Sequence, residues 1–138
     1  MKISAQLNHS RDKLDAILKT NEKSHSITLE PNSAGLGSGT NGGELLFLAL
    51  AVCYCNDIYR GAKKTGMEII SVEVTVDGVF GGEGEPASQV SYQARVAAKA
   101  DAQTIEELMQ RTDQLAEIHN TLRASTPIIL NSIEAISV

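Results

Sequence analysis

Two thiols carry the most evident chemistry in this sequence. Cys53 and Cys55 are its only cysteines, one inside and one directly after its longest apolar run, at 45–54. A thiolate is a nucleophile, whereas a protonated thiol within a helix core packs as a small apolar group. Both a redox role and core packing stay open for Cys53, while the pattern favours core packing for Cys55.

The residues that follow Cys53 determine how reactive its thiol can be. Residues two apart on a helix point about 200° away from each other, so a Cys53–Cys55 disulfide would require the helix to unwind. Asp57, at i+4, opposes thiolate formation, and Arg60, at i+7, lies on the same side two turns away. We therefore expect activation of Cys53 to come from a second copy of the chain or from its N-terminal strands.

Other chemistries find little support in the residue pattern. His9, His25 and His119 have no metal-ligand spacing with one another or with the cysteines, so no metal site is predicted. The glycines at 35, 37 and 39 lack the strand and the later acidic residue of a nucleotide fingerprint, so we interpret them as a loop. The sequence predicts no cofactor.

Composition limits the classes of partner. A chain of 138 residues with 42% hydrophobic and 21% charged residues is expected to form one domain, 1–138. A net charge of −5 argues against nucleic acid or an anionic membrane as partner. The start shows no signal peptide, and the apolar run is shorter than the roughly 20 residues that span a bilayer. We expect a protein of the reducing cytoplasm.

Periodicity predicts an α+β fold with antiparallel strands. The predicted strands lie at 2–7, 24–30, 69–80, 89–99 and 128–138, with a turn at 8–11, an ambiguous segment at 14–18 and a loop at 31–43. A first helix should begin at Asn41, capped together with Glu44, and end near Lys64 before Gly66. A second should cover 104–118 and continue to about 122, before Pro127.

The first half of the first predicted helix is apolar on every side. Such a helix needs cover all round, and this chain offers about one sheet and one other helix. A second copy of the chain would supply the missing layer. The alternative is a monomer whose sheet curls around the helix.

Several segments together resemble the OsmC/organic hydroperoxide resistance family. They are the run from Gly39 through Glu44 to Cys53, then Gly66, the strand at 72–76, and the segment at 118–122. The resemblance covers about residues 24–138. It implies an intertwined homodimer, with two long central helices and antiparallel sheets wrapped around them.

The resemblance also implies a peroxide-reducing site. In complete members, a helix cysteine attacks a hydroperoxide, a second cysteine resolves the sulfenic acid, and a glutamate and an arginine activate the first thiol. Cys53 matches the attacking position, whereas Gly43 stands at the acidic position and Ala116, followed by Glu117, at the resolving position. Glu44 is one place along from the expected acid.

The activating arginine has no clear counterpart, because Arg11 is the only arginine before Arg60. The sequence therefore predicts a cytoplasmic homodimer that reduces organic or inorganic hydroperoxides through Cys53. Glu44 and Cys55 are secondary candidates for the site, and an external thiol is the expected reductant. The alternative is a non-catalytic protein that binds a small ligand between subunits, which Gly43 and Ala116 favour.

Overall fold

A computed structural model describes residues 1–10 and 13–136 of the chain. The fold is α+β, with two antiparallel sheets and three helices within those ranges. The residues cluster into two compact units, Met1–Leu46 and Phe47–Val138. The boundary falls inside the first helix.

The first unit contains a three-stranded antiparallel sheet of order β1-β2-β3. Its strands are β1 (Ile3–Ser10), β2 (Lys13–Thr20) and β3 (Lys23–Ile27). The predicted turn is wrong at 8–10, because these polar residues continue the β1 ladder, with Ser10 opposite Lys13. Arg11, the only arginine before Arg60, lies outside the described residues.

Helix α1 (Gly42–Thr65) begins and ends as the sequence predicts. The Asn41 amide donates to Glu44 Oε2 over 2.7 Å, and the Glu44 amide donates to Asn41 Oδ1 over 2.9 Å. This reciprocal pair is a capping box, which satisfies two amides that the first turn leaves without partners. Gly66 follows the helix with a φ of 72°, a conformation that glycine adopts without strain.

Apolar side chains occupy both sides of α1. One stripe is buried and comprises the apolar side chains Leu50, Tyr54, Ile58 and Ala62, together with the carboxylate of Asp57. On the opposite side, Leu48 and Val52 are 57% and 48% exposed. By length and composition alone α1 meets the criteria for a membrane-spanning helix, which the core helices of soluble proteins also meet.

The second unit pairs β4 (Ile69–Phe80) with β5 (Ala87–Ala98) in an antiparallel hairpin. The predicted strand at 69–80 is confirmed, and the alternate valines of β4 are the more buried set. Tyr54 of α1 packs against Tyr92 of β5, with ring centroids 5.1 Å apart. This contact fixes the face of α1 that includes Asp57.

The second predicted helix is divided into α2 (Ala102–Leu115) and α3 (Glu117–Arg123). Continuity through 118 is therefore wrong, because Ala116 has an extended ψ of 109°. Side chains of α3 replace the lost helical hydrogen bonds: Asn120 Nδ2 donates to the Gln114 carbonyl and Arg123 Nη1 to the Asp113 carbonyl. The break makes Glu117 the first residue of a new helix.

The predicted closing strand at 128–138 is also wrong over the described part, since residues 126–136 form no regular structure. Residues 137 and 138 lie outside the described ranges. A strand needs a neighbouring edge to pair with. The apolar side chains of this segment remain exposed, from 74% at Ile129 to 99% at Ile128.

Candidate functional site

Cys53 lies on α1 beside two carboxylates. Its thiol is half-buried and is 3.8 Å from Asp57 Oδ2, within the range for an S–H donor. Glu117 joins them from the start of α3, so that the sulfur and one oxygen of each carboxylate lie within 4.8 Å of one another. The i+4 spacing on α1 places Asp57 there, and the break at Ala116 places Glu117.

Arg60 holds the two carboxylates together. Its Nη2 is 2.8 Å from Asp57 Oδ1, and it donates to both Glu117 oxygens over 3.0 and 3.2 Å. Sequence analysis placed Arg60 on the same side of the helix as Cys53, two turns away. The guanidinium instead pairs with the acids, so the group retains about one net negative charge beside the thiol.

These surroundings keep the thiol protonated. Burial raises the pKa of Cys53, and the negative charges of Asp57 and Glu117 raise it further, while a hydrogen bond from the Ile118 amide opposes the shift. Burial also raises the pKa of Asp57 against the lowering effect of Arg60. The arrangement is a thiol that donates its proton towards a carboxylate, which is suited to proton transfer during a reaction.

Cys55 is half-buried and lies away from this cluster. The helix is regular from Gly42 to Thr65, so the two cysteines point in different directions and both are free thiols. Nothing in the described residues brings Cys55 towards the carboxylates.

Glu44 also lies apart from Cys53 within the helix. Nine residues separate them, or about 13 Å along the axis at a rise of 1.5 Å per residue. The capping box occupies the Glu44 carboxylate, as the capping interpretation predicts. Gly43 stands in the first turn and offers no side chain to the site.

Ala116 is fully buried at the junction of α2 and α3. The resemblance assigned the resolving position to this residue, and its neighbour Glu117 reaches the Cys53 thiol. Glu117 is the member of the site that sequence analysis missed as a functional group. The available signal was its position directly after Ala116.

A second polar cluster supports α3. His119 is buried, and neither ring nitrogen has a hydrogen-bond partner among the described residues. Its ring meets Tyr92 edge-on, with centroids 4.8 Å apart, and the Tyr92 hydroxyl donates to Asp113, which also pairs with Arg123. Burial lowers the pKa of His119, so this histidine is a neutral packing group.

Cys53, Asp57 and Glu117 are the described residues best placed to offer donor atoms to a metal ion. Thiolate and carboxylate are ligands that zinc accepts. Arg60, however, already pairs with both carboxylates, and a cation would have to displace it. The expectation that the chain has no metal site stays a prediction.

The two antiparallel sheets and the long helix α1 define an α+β protein with a cysteine on this helix, and comparison identifies the family. Residues 35–131 match the family model described as OsmC-like protein. The chain belongs to this family. A comparison with curated proteins gives no match.

Solved structures show the same fold at low sequence identity. An OsmC-like protein from Mycoplasma pneumoniae is 17% identical, with 88% of this chain and 86% of that one covered and a TM-score of 0.60. The organic hydroperoxide resistance protein OhrB of Bacillus subtilis is 17% identical, with coverages of 89% and 91% and a TM-score of 0.54. A Legionella pneumophila organic hydroperoxide resistance protein, OsmC, is 15% identical, with coverages of 89% and 90% and a TM-score of 0.52.

Proposed function

We propose that this OsmC-like chain reduces organic or inorganic hydroperoxides through the thiol of Cys53. The observation that carries the proposal is the half-buried Cys53 sulfur, 3.8 Å from the Asp57 carboxylate that can receive its proton. Two of the similar folds belong to proteins named for organic hydroperoxide resistance, which supports this substrate class.

The first step transfers one oxygen atom and one proton. The Cys53 sulfur attacks the outer peroxide oxygen, an S–O bond forms and the O–O bond breaks. Asp57 takes the thiol proton and returns it to the departing oxygen, which leaves as an alcohol or as water. Arg60 keeps the two carboxylates together, so that the negative charge of Asp57 is held in place.

The second step requires an external thiol. The chain has two cysteines, and Cys55 points away from Cys53 along a regular helix. A first external thiol forms a mixed disulfide with Cys53 and releases water. A second thiol attacks the outer sulfur and restores Cys53.

We also propose that the working form is a cytoplasmic homodimer. The exposed apolar side chains Leu48 and Val52 on α1 motivate this assembly, because a second copy would remove them from water. We expect a cation that activates Cys53 to come from this second copy, where the described chain does not provide one. Glu44 and Cys55 remain secondary candidates for residues of the site.

Peroxide consumption with dithiothreitol tests the proposal. Cys53→Ser should abolish turnover, and Cys55→Ser, the matched control on the same helix, should retain most of it. Equal loss in both variants, or loss only from Cys55→Ser, would show that the reacting sulfur is not Cys53.

One observation favours a second function, binding of a small ligand without catalysis. The pKa of Cys53 is raised by burial and by the nearby acids, the opposite of what a thiolate nucleophile needs. Gly43 and Ala116 stand where the family pattern has functional groups. A chain that consumes no peroxide while Cys53 resists oxidation supports this second function.

A further inference from the structure

We propose that the groove beside Cys53 binds a carboxylate-bearing thiol of peptide size, and that this thiol is the external reductant. The inference rests on the proposed peroxide reduction. It adds the chemical class of the second substrate and the residues that recognise it, Lys64 and Arg111.

The groove lies between α1 and α2 and has a volume of about 280 Å³. Asp57, Arg60 and Glu117, which surround the Cys53 thiol, also line one part of it. One end of the groove is therefore formed by the two carboxylates that lie within 4.8 Å of the Cys53 sulfur. Gly61 allows the helices to come close here, since an added Cβ would lie 2.6 Å from Leu108 Cδ1.

The charges of the groove favour an anion. Three cations line it, namely Arg60, Lys64 and Arg111. Arg60 is paired with two acids, whereas neither Lys64 nor Arg111 has an ion pair within the described ranges. In a chain of net charge −5, two unpaired cations that face one cavity form a selective site for carboxylates.

The remaining lining suits a ligand with an apolar or amphipathic body. Leu108 and Leu115 of α2 provide apolar surface, and Thr65 and Thr112 also line the groove. Thr112 already donates to the Leu108 carbonyl, so its hydroxyl offers a lone pair. A peptide-like thiol can use both kinds of surface.

The spacing along α1 sets the size of the ligand. Eleven residues separate Cys53 from Lys64, about 16 Å at 1.5 Å per residue. The Lys64 side chain covers part of that distance, since helix side chains tilt towards the N-terminus. The remainder, on the order of 10 Å, matches about three residues of extended chain.

The reaction balances with this thiol as the reductant. Its sulfur attacks the sulfenic sulfur of Cys53, an S–S bond forms, the S–O bond breaks, and hydroxide leaves as water with the thiol's proton. A second molecule then attacks the ligand's sulfur in the mixed disulfide. Cys53 leaves as a thiolate and takes up a proton, and the product is the disulfide of the external thiol.

A binding experiment tests the site without relying on catalysis. S-methylglutathione, which cannot react, is titrated by calorimetry into the full chain and into Lys64→Gln and Arg111→Gln. Each substitution should weaken binding about tenfold, the effect expected for loss of one charged hydrogen bond. Lys63→Gln, the neighbour outside the groove lining, is the matched control and should bind as the wild type does.

A kinetic experiment tests the role as reductant. Oxidised Cys53 is reduced by glutathione or by its diethyl ester, and each rate is divided by the thiolate fraction. In the wild type, glutathione should react about tenfold or more faster than its ester. This preference should fall about tenfold in Arg111→Gln and persist unchanged in Lys63→Gln.

The outcomes separate this inference from the proposed function. Equal rates for glutathione and its ester, in a chain that reduces peroxide, would overturn the groove as a reductant site and leave peroxide reduction standing. Binding of S-methylglutathione that depends on Lys64 and Arg111, in a chain without peroxide reduction, would support the groove and reject the activity. No binding, or equal binding by all variants, would overturn the groove itself.

Discussion

At the scale of single residues, the sharpest question is what Asp57 does to Cys53. The carboxylate raises the pKa of the thiol by its charge and by their hydrogen bond, which lowers the thiolate fraction. The same carboxylate accepts the hydrogen bond of the thiol, with Asp57 Oδ2 3.8 Å from the sulfur. Asp57 therefore opposes the resting thiolate, and in the proposed reaction it would accept the thiol proton.

Asp57→Asn should separate these two effects. Removal of the charge should lower the pKa of Cys53, so alkylation by iodoacetamide should begin at a lower pH than in the wild type. Peroxide reduction near neutral pH should nevertheless fall about 10²-fold or more, because general base catalysis is worth that much. Stopped-flow peroxide consumption and alkylation rates measure the two quantities.

Glu117→Gln is the matched control for Asp57→Asn. It removes a charge that also raises the pKa of Cys53, but leaves the carboxylate that receives the proton. We expect earlier alkylation with little loss of peroxide reduction. If Asp57→Asn instead reduced peroxide faster, in proportion to its thiolate fraction, Asp57 would be only an inhibitor of the thiol.

The sequence predicts the part of this site that lies on one helix. The i+4 and i+7 spacings place Asp57 and Arg60 on the side of Cys53, and the structure confirms both positions. Glu117 comes from another element, and its approach depends on the backbone at Ala116. Local periodicity predicts a continuous helix there, because alanine favours helix and tertiary contacts override that preference.

At the scale of elements, the α2–α3 junction determines how Cys53 would be resolved in the proposed reaction. Ala116 is buried without a reactive side chain, beside the residue that meets the thiol. A thiol at this position would directly precede Glu117, whose carboxylate lies within 4.8 Å of the Cys53 sulfur. The junction thus separates a chain that needs an external thiol from one that resolves itself.

Stoichiometric peroxide should add about 16 Da to the wild-type chain, as sulfenic acid, and excess peroxide about 32 Da. In Ala116→Cys the same treatment should remove about 2 Da, by loss of two hydrogens to an intrachain disulfide. The larger side chain should destabilise the buried junction by about 1–3 kcal/mol. Intact-mass spectrometry distinguishes these products.

Ala116→Ser controls for side-chain size. A loss of about 2 Da from the wild type would show that Cys53 and Cys55 meet.

The cluster around His119 supplies a pH test of α3. Tyr54, Tyr92, Asp113 and Arg123 surround or face this buried ring, and the folded state lowers its pKa through burial and Arg123, against Asp113. Below about pH 6.5 the unfolded chain therefore binds more protons than the folded chain does. The free energy of unfolding should fall as the pH decreases through that value.

His119→Phe should remove that share of the pH dependence. Each unit by which folding lowers the pKa corresponds to about 1.4 kcal/mol of stability lost on full protonation. Urea unfolding between about pH 7 and pH 5 measures the slope, which should be smaller in the variant than in the wild type. His25→Phe, on the exposed strand β3, should keep the wild-type slope. If the slope of stability against pH were unchanged in His119→Phe, the pH dependence would come from groups other than His119.

At the scale of the whole molecule, a single copy of the chain leaves many large apolar side chains exposed to water. Leu48 and Val52 are exposed on α1, and the segment at 128–136 exposes apolar side chains along its length. The sequence correctly predicts the α+β architecture and the first helix. It also predicts a strand at 128–136, which the structure does not show. A strand forms only beside another edge, so a pattern read from one chain does not tell which chain supplies that edge.

We therefore expect an obligate dimer. Sedimentation equilibrium at low micromolar concentration should give twice the 14.7 kDa chain mass. Leu48→Lys should shift the population towards monomer, because burial of one leucine is worth about 1.5–3 kcal/mol and a buried lysine adds a desolvation penalty. Glu73→Lys, a charge change on the exposed face of β4, is the control and should stay dimeric. A stable folded monomer of the wild type would contradict the dimer and would mean that the exposed face of α1 has another partner. The group that activates Cys53 would then have to lie within this chain.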